Sequence, residues 1–529
     1  MNPFHGPAPS FPWMFLRGSL PWIGLLMCAA VGTLRAAPEP DPVVGVTGGL
    51  VRGRLLPGGA GAVYRGIPFA QPPVGELRWR EPMPVVPWPG TREADRSGPP
   101  AAQPPLGWND RSAAASSEDC LYLDVWAPAK AAGALPVMVW IHGGGNVAGA
   151  GGFDTLYDGR ALIARGVVLV VIEYRLGVFG FLSHPALTRE SPHHASGNYG
   201  ILDQVAALQW VRGNIAAFGG DPGNVTVFGQ SAGAEDILAL MATPLSAGLF
   251  HRAISESGPL PPTSPALAEA EKAGVTALGK LEGPPDRDLA YLRSVPAGDL
   301  LKSVQGTSAF TVDGWVFPVS PLEVWKSGRE HAVPLILGSC AVEFPFDGPP
   351  EALAKSFRDI FGSLAPRAMA LYGLDGKPAA SDPLYGSGMD QWGSDLFRCI
   401  PILLGEWHAS RGIASWEYEF ARAIPPNARV AHSDDLPYVF GNLLEGGSKG
   451  GKFRAEDHAL SGTIQGYWTN FAKTGNPNGA GLPAWEKHDA AGRRYLAFTT
   501  EAAVAARENE RGPFCDLFRE ALAGPGAAR

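Results

Sequence analysis

A serine stands between two glycines in Gly229-Gln230-Ser231-Ala232-Gly233. Val225, Val227 and Phe228 before it have the look of a short buried strand, and Ile237, Leu238 and Leu240 after it supply the apolar part of a helix. G-x-S-x-G between a strand and a helix predicts a turn so tight that a side chain at either glycine would strike the neighbouring element. Ser231 would project above the sheet as a nucleophile, with the N-terminal amides of the next helix, Ala232 first, aimed at a developing oxyanion. Upstream, the continuous apolar run Leu135–Ile141 leads into His142-Gly143-Gly144-Gly145. Glycines at the end of a strand let backbone amides approach a substrate closely, so this run is expected to complete an oxyanion hole with the amide after the serine. Either motif alone could be a plain turn; together they point to acyl transfer through a serine.

Something must position these residues, and the chain has the material. It has 529 residues, 45% of them hydrophobic, enough for a large core. Lysine and arginine number 43 against 51 aspartate and glutamate, a net charge of −8 with no basic run, which leaves nucleic-acid binding without an electrostatic footprint. Gly166–Ile172 is a fully apolar, β-branched strand suited to the middle of a parallel sheet. Ile201, Val205, Leu208, Val211 and Ile215 fall at helical spacing, which predicts an amphipathic helix within 198–218. Strand, helix, strand, turn and helix in that order imply a right-handed parallel α/β sheet. Residues 42–82 form a small β-rich opening, 83–117 a surface loop, 118–128 a strand, and 334–338 and 418–420 further strands. Residues 259–330 and 345–395 are expected as helices and loops inserted above the sheet, and 459–474 as a closing helix. Asn224-Val225-Thr226 is a formal glycosylation sequon placed on a buried strand, so no glycan is expected there.

The N-terminus suggests export. Arg17 precedes the apolar run Trp22–Val31, and small residues follow, so residues 1–37 are expected to be a signal peptide. No later stretch is a transmembrane candidate. Of five cysteines, Cys28 would leave with the signal, and Cys120, Cys340, Cys399 and Cys515 remain. Their spacing suggests no metal site, and four cysteines leave several pairings open.

Taken together, Gly229–Ala234, His142–Gly145, Glu118–Trp126, Tyr64–Pro73, Asn198–Phe218 and Tyr467–Asn478 resemble the type-B carboxylesterases, in collinear order over about residues 42–520. That family includes cholinesterases, bacterial para-nitrobenzyl esterases and some lipases. The resemblance implies an α/β-hydrolase fold: a mostly parallel sheet with helices on both faces, insertions over the active site, and one domain spanning 42–520 before a frayed end at 521–529. It implies a serine esterase with a Ser…Glu…His triad, no cofactor and no metal. The family's acid segment, G-T-N-x-D-E-G, is matched by Gly338–Phe344, which puts Glu343 on the acid position, with Asp347 as the fallback. His432, ahead of Asp435 and Pro437-Tyr438-Val439-Phe440-Gly441, matches the family histidine. Gly144, Gly145 and Ala232 would supply the oxyanion hole, and Ser257 would support the acid from behind.

Some residues depart from the family pattern. Gln230 replaces the usual glutamate, removing a negative charge beside the site and weakening any preference for cations. Glu235 and Asp236 occupy the first turn of the helix, where its dipole favours carboxylates, and a structural role is expected. Ala101 stands where relatives carry the partner of Cys120, which makes Cys120 a buried thiol, while Cys399 and Cys515 match positions that pair in some relatives. Cys340 would then stay unbridged beside the acid. Trp108, Trp315 and Phe344 are candidate pocket walls. The substrate implied is a small-molecule ester, met by an exported protein off the membrane once its signal is removed; the oligomeric state is not legible. A serine amidase or peptidase on the same fold, or a catalytically silent adhesion protein of the same family, are the competing readings.

Overall fold

A computed structural model describes residues 40–129, 133–152, 155–284, 287–304, 307–376, 381–424, 426–444 and 451–523. The expected signal peptide at 1–37 and the terminal residues 524–529 lie outside the described residues. The strands are β1 Val43–Val46, β2 Gly49–Arg52, β3 Arg54–Leu55, β4 Gly61–Pro68, β5 Thr91–Glu93, β6 Tyr122–Pro128, β7 Leu135–Ile141, β8 Val168–Ile172, β9 Gly220–Gln230, β10 Arg252–Glu256, β11 Leu335–Cys340, β12 Ser415–Phe420, β13 Arg494–Phe498 and β14 Val504–Glu508. β1, β2 and β5 make a small sheet, and the rest an 11-stranded sheet in the order β14-β13-β12-β11-β10-β9-β7-β8-β6-β4-β3. From β8 through β7, β9, β10, β11 and β12 to β13, neighbours run parallel; β3, β4, β6 and β14 extend the edges antiparallel.

The central strands are buried on both faces, as their unbroken apolar runs require. Side chains alternate by the period of two: Val137, Val139 and Ile141 join the core on one side, Met138 and Trp140 the core on the other. β8 repeats this, with Val168, Val170 and Ile172 opposite Leu169 and Val171. Helices cover both faces, Tyr199–Asn214 and Leu267–Leu278 among those on the first, Ala455–Thr474 on the second.

The register sets up the site. Ile141 pairs with Gly229, Glu256 with Gln230, and Glu256 with Gly338, so β7, β9, β10 and β11 end level with one another. The loops that follow them carry Gly143–Gly145, Ser231, Ser257 and Glu343. Clustering at the carboxyl ends of parallel strands is the usual place for a site in such a sheet.

Several expectations need correction. The helix Tyr199–Asn214 is buried on nearly every face, including Asp203 and Gln204, and continues into a 3₁₀ turn at Ile215–Phe218; it is a core helix with a narrow solvent edge, not an evenly amphipathic one. The stretch 83–117 is not all loop: β5 and the helix Asp110–Ala115 lie in it. The helix Gly512–Ala523 carries residues 521–523, so the chain is helical there and not frayed. It is joined to the helix Gly388–Ser410 by a Cys399–Cys515 disulfide, with the Cα atoms 4.8 Å apart. Cys120 and Cys340 are buried and lie outside that bridge. No helix among the described residues is long and apolar enough to cross a membrane.

Candidate active site

Ser231 is the N-cap of the helix Ala232–Leu240 and holds φ 57° and ψ −126°, a conformation that L-residues rarely adopt. The turn is tight enough to demand its glycines: a Cβ on Gly229 would lie 2.6 Å from the carbonyl oxygen of Ile141, and one on Gly233 only 2.1 Å from it. The Ser231 amide donates to the carbonyl of Glu256 at 2.9 Å, which fixes the elbow to β10.

His432 comes from the loop after β12. Its Nδ1 meets the Oε2 of Glu343 in a short hydrogen bond. Glu343 is 3% exposed, and its other oxygen accepts from the Cys340 amide at 2.7 Å; Asp347 is exposed. The Glu343 amide donates to Oγ of Ser394 at 3.0 Å, and Arg398 donates to the carbonyls of Cys340 and Ala341, both at 2.8 Å. Ser257, at φ 55°, accepts a long bond of 3.4 Å from the Cys340 amide, so it touches the turn that carries the acid. The second ring nitrogen of His432, Nε2, lies 3.0 Å from the side-chain amide nitrogen of Gln230.

Two buried carboxylates stand behind this group. Burial raises Glu256 well above the ordinary range, and the nearby Asp435 charge adds to it; Asp435 is also raised by burial and by the charge of Glu343. Trp468 Nε1 donates to Glu256 at 2.7 Å, and Tyr418 to Asp435 at 3.0 Å.

The glycine loop after β7 faces the elbow. A Cβ on Gly144, at φ 119°, would sit 1.9 Å from the carbonyl oxygen of Ala148, so only glycine fits there. The buried Asn146, at φ 56°, follows the glycines and donates to Asp236 Oδ1 at 2.8 Å. Gln204 donates to the other oxygen at 2.5 Å, and Tyr174 packs its hydroxyl 2.8 Å from the His142 carbonyl. Burial pushes the Asp236 carboxyl up to about 7. Sequence reading gave Asp236 a structural role but missed its partners, and it missed Ser394, Arg398 and the Gln230–His432 contact altogether; the one signal for the brace was a polar Asn directly after three glycines.

Of the three aromatic wall candidates, Phe344 packs its ring 4.3 Å from that of His432, and Phe397 adds another at 5.3 Å. Trp315 stacks instead on His193, at 3.8 Å, in a separate cleft of about 180 Å³ lined also by Trp79 and Met83. Trp108 is largely exposed. Among the described residues no cluster of His, Cys, Asp and Glu is arranged to hold a metal ion.

A mostly parallel sheet ending in a strained serine elbow, with a histidine–glutamate pair on neighbouring loops, is the architecture of an α/β-hydrolase. The chain belongs to the carboxylesterase family, whose model matches residues 40–357 and 368–516. Fumonisin B1 esterase of Sphingopyxis macrogoltabida is 35% identical to it over 92% of this chain and 93% of its own length. Carboxylesterase 3 of Pongo abelii is 37% identical over 89% of this chain and 90% of its own. Among solved structures, a thermophilic PNB esterase superposes with a TM-score of 0.80 at 33% identity, covering 90% of this chain and all of that one.

Proposed function

We propose that Ser231, His432 and Glu343 are the catalytic triad of an esterase acting on small-molecule carboxylic esters through an acyl-enzyme. The observation that carries this reading is the bond from His432 Nδ1 to Glu343, made at the strand ends beside the strained Ser231 elbow. His432 takes the proton of Ser231 through Nε2 as the hydroxyl attacks the ester carbonyl, and the Ser–C bond forms as the carbonyl π electrons move to oxygen. Glu343 fixes the tautomer and stabilises the imidazolium. The amides of Gly144, Gly145 and Ala232 receive the oxyanion; among the described residues no protein acceptor sits on these amides, which supports that assignment. One such donor contributes about 3 kcal/mol to the transition state. His432 then protonates the departing alcohol, and water repeats the sequence on the acyl-enzyme. Ser257 and Arg398 hold the turn that carries Glu343, Arg398 through the Cys340 and Ala341 carbonyls.

Hydrolysis of short- and medium-chain para-nitrophenyl esters, set beside matched anilides, tests this. The parent should turn over esters far faster than anilides, and Ser231→Ala should lower ester kcat by about 10⁴-fold or more. Faster anilide turnover would favour the amidase reading, and an inactive parent the silent adhesion member. Export by a signal peptide in residues 1–37 is part of the same proposal, supported by the apolar run Trp22–Val31 and by the Cys399–Cys515 bridge, which an oxidising compartment favours. N-terminal sequencing of protein recovered outside the cytoplasm should find residues 1–37 removed.

A further inference from the structure

Gln230 ends β9 and immediately precedes the nucleophile; it is 3% exposed. Its amide nitrogen lies 3.0 Å from Nε2 of His432. The other ring nitrogen faces the Glu343 carboxylate. An ionised carboxylate only accepts hydrogen bonds, so Nδ1 carries a proton, and a neutral ring then presents a lone pair at Nε2. The Gln230 amide therefore donates to that lone pair. Ser231 needs the same lone pair when it gives up its proton.

We propose that Gln230 is a positioning residue that caps the reactive nitrogen of His432 between turnovers, holding the ring in its neutral Nδ1–H tautomer until the Ser231 hydroxyl replaces the amide. The proposal rests on the triad reading given above. The cap consumes no co-reactant: one N–H···N bond is exchanged for one O–H···N bond, and the serine proton then passes to Nε2.

The surroundings make this position sensitive to charge. His432 faces the Glu343 carboxylate from the loop after β11 and the Asp435 carboxyl from its own segment. The Phe344 and Phe397 rings pack beside it and offer no charge. Gln230 approaches from β9 with a neutral donor, which suits the unprotonated ring. A glutamate in its place would bring a third carboxylate, unable to donate to the lone pair and favouring a proton on Nε2.

The test is the pH dependence of kcat/KM for Gln230→Glu and Gln230→Ala beside the parent, with a para-nitrophenyl ester and, separately, a phosphonate ester that labels the nucleophile. Gln230→Glu should move the acid limb upward by about one unit or more, a roughly tenfold loss of kcat/KM below that limb. Gln230→Ala, with the cap removed, should be phosphonylated several-fold faster than the parent at the pH optimum. A merely structural role would lower melting temperature and kcat without moving the limb. An acid limb for Gln230→Glu unchanged from the parent, together with no faster labelling of Gln230→Ala, overturns the cap. Mass spectrometry of the labelled parent keeps the two readings apart: a label off Ser231 overturns the triad, and a label on Ser231 with an unmoved limb and no faster labelling of Gln230→Ala overturns only the cap.

Discussion

Asn146 donates its side-chain amide to Asp236 across 2.8 Å, and this bond ties the glycine loop after β7 to the helix that starts at Ser231. The two residues are 90 positions apart, and both are buried. The brace joins the two backbone segments whose amides would have to converge on one oxyanion. Asn146→Ala leaves Asp236 short of a donor and places alanine at φ 56°, which asparagine tolerates better. It should cost about 2 kcal/mol of stability and lower kcat more than it raises KM. Denaturant unfolding and steady-state kinetics check this, and Asn146→Gly, which relieves the backbone but still lacks the amide, should recover stability in part and kcat hardly at all.

Asp236 also makes stability depend on pH. Its ordinary value is 3.8, and burial pushes it to about 7 in the folded chain, so the fold holds this proton to higher pH than the unfolded chain does. Unfolding therefore releases a proton between about pH 4 and pH 7, and stability falls as pH rises through that window before levelling off. Between pH 5 and pH 8 the loss should be on the order of 2 kcal/mol from this one group. Asp124, pushed to about 6 chiefly by burial, adds a smaller decline of the same sign. Across pH 5 to 8 the parent's stability should fall relative to that of Asp236→Asn, which cannot titrate at this position. Parallel curves would mean that Asp236 does not titrate in this range.

Arg398 holds the acid turn. Its guanidinium reaches the carbonyls of Cys340 and Ala341 while paired with Asp395 and Glu510, each at 2.6 Å, all of them buried. Arg398→Met would leave the buried Glu510 without its cation and Asp395 with Arg511 alone, and would release the turn before Glu343. The expected cost is roughly 3–5 kcal/mol, with a fall in kcat even at temperatures where the variant stays folded. Arg398→Lys keeps the charge but lacks the fork that meets both carbonyls, so it should recover stability more than activity. Thermal melts with parallel assays separate the two effects.

The Cys399–Cys515 bridge closes a loop of 116 residues next to Arg398. On loop-entropy grounds, removing it should cost about 4–5 kcal/mol. A reducing agent should lower the parent's melting temperature to near that of the Cys399→Ala/Cys515→Ala double variant and leave the variant unchanged. If reductant shifts both equally, some other thiol chemistry is responsible.

Local features were the most legible. β7 and β8 stood out as unbroken apolar runs, and the need for glycine around Ser231 followed from a turn whose clearance is set by the backbone itself. β13 and β14 are less legible: Arg494–Phe498 is only five residues long, though Tyr495 to Phe498 is apolar and buried, and Val504–Glu508 is exposed over its last three residues and lacks the pattern of a buried strand. Apolar spacing places the helix Tyr199–Asn214 but not its surroundings, because its polar Asp203 and Gln204 are satisfied inside the core, by Arg175 and Asp236, instead of by water.

By itself the sequence determined the strand–elbow–helix with its serine, the glycine loop upstream, the parallel α/β layering and the family, because each rests on backbone sterics and on burial period within a few neighbouring residues. The family resemblance already put Glu343 ahead of Asp347; only the tertiary structure brought it to His432, 89 positions away, carried Gln230 to the same ring across 202, and joined Asn146 to Asp236. Those pairings depend on which strands end side by side, in the order β7, β9, β10 and β11, and on a register fixed by the packing of the whole sheet, which no short stretch of chain contains.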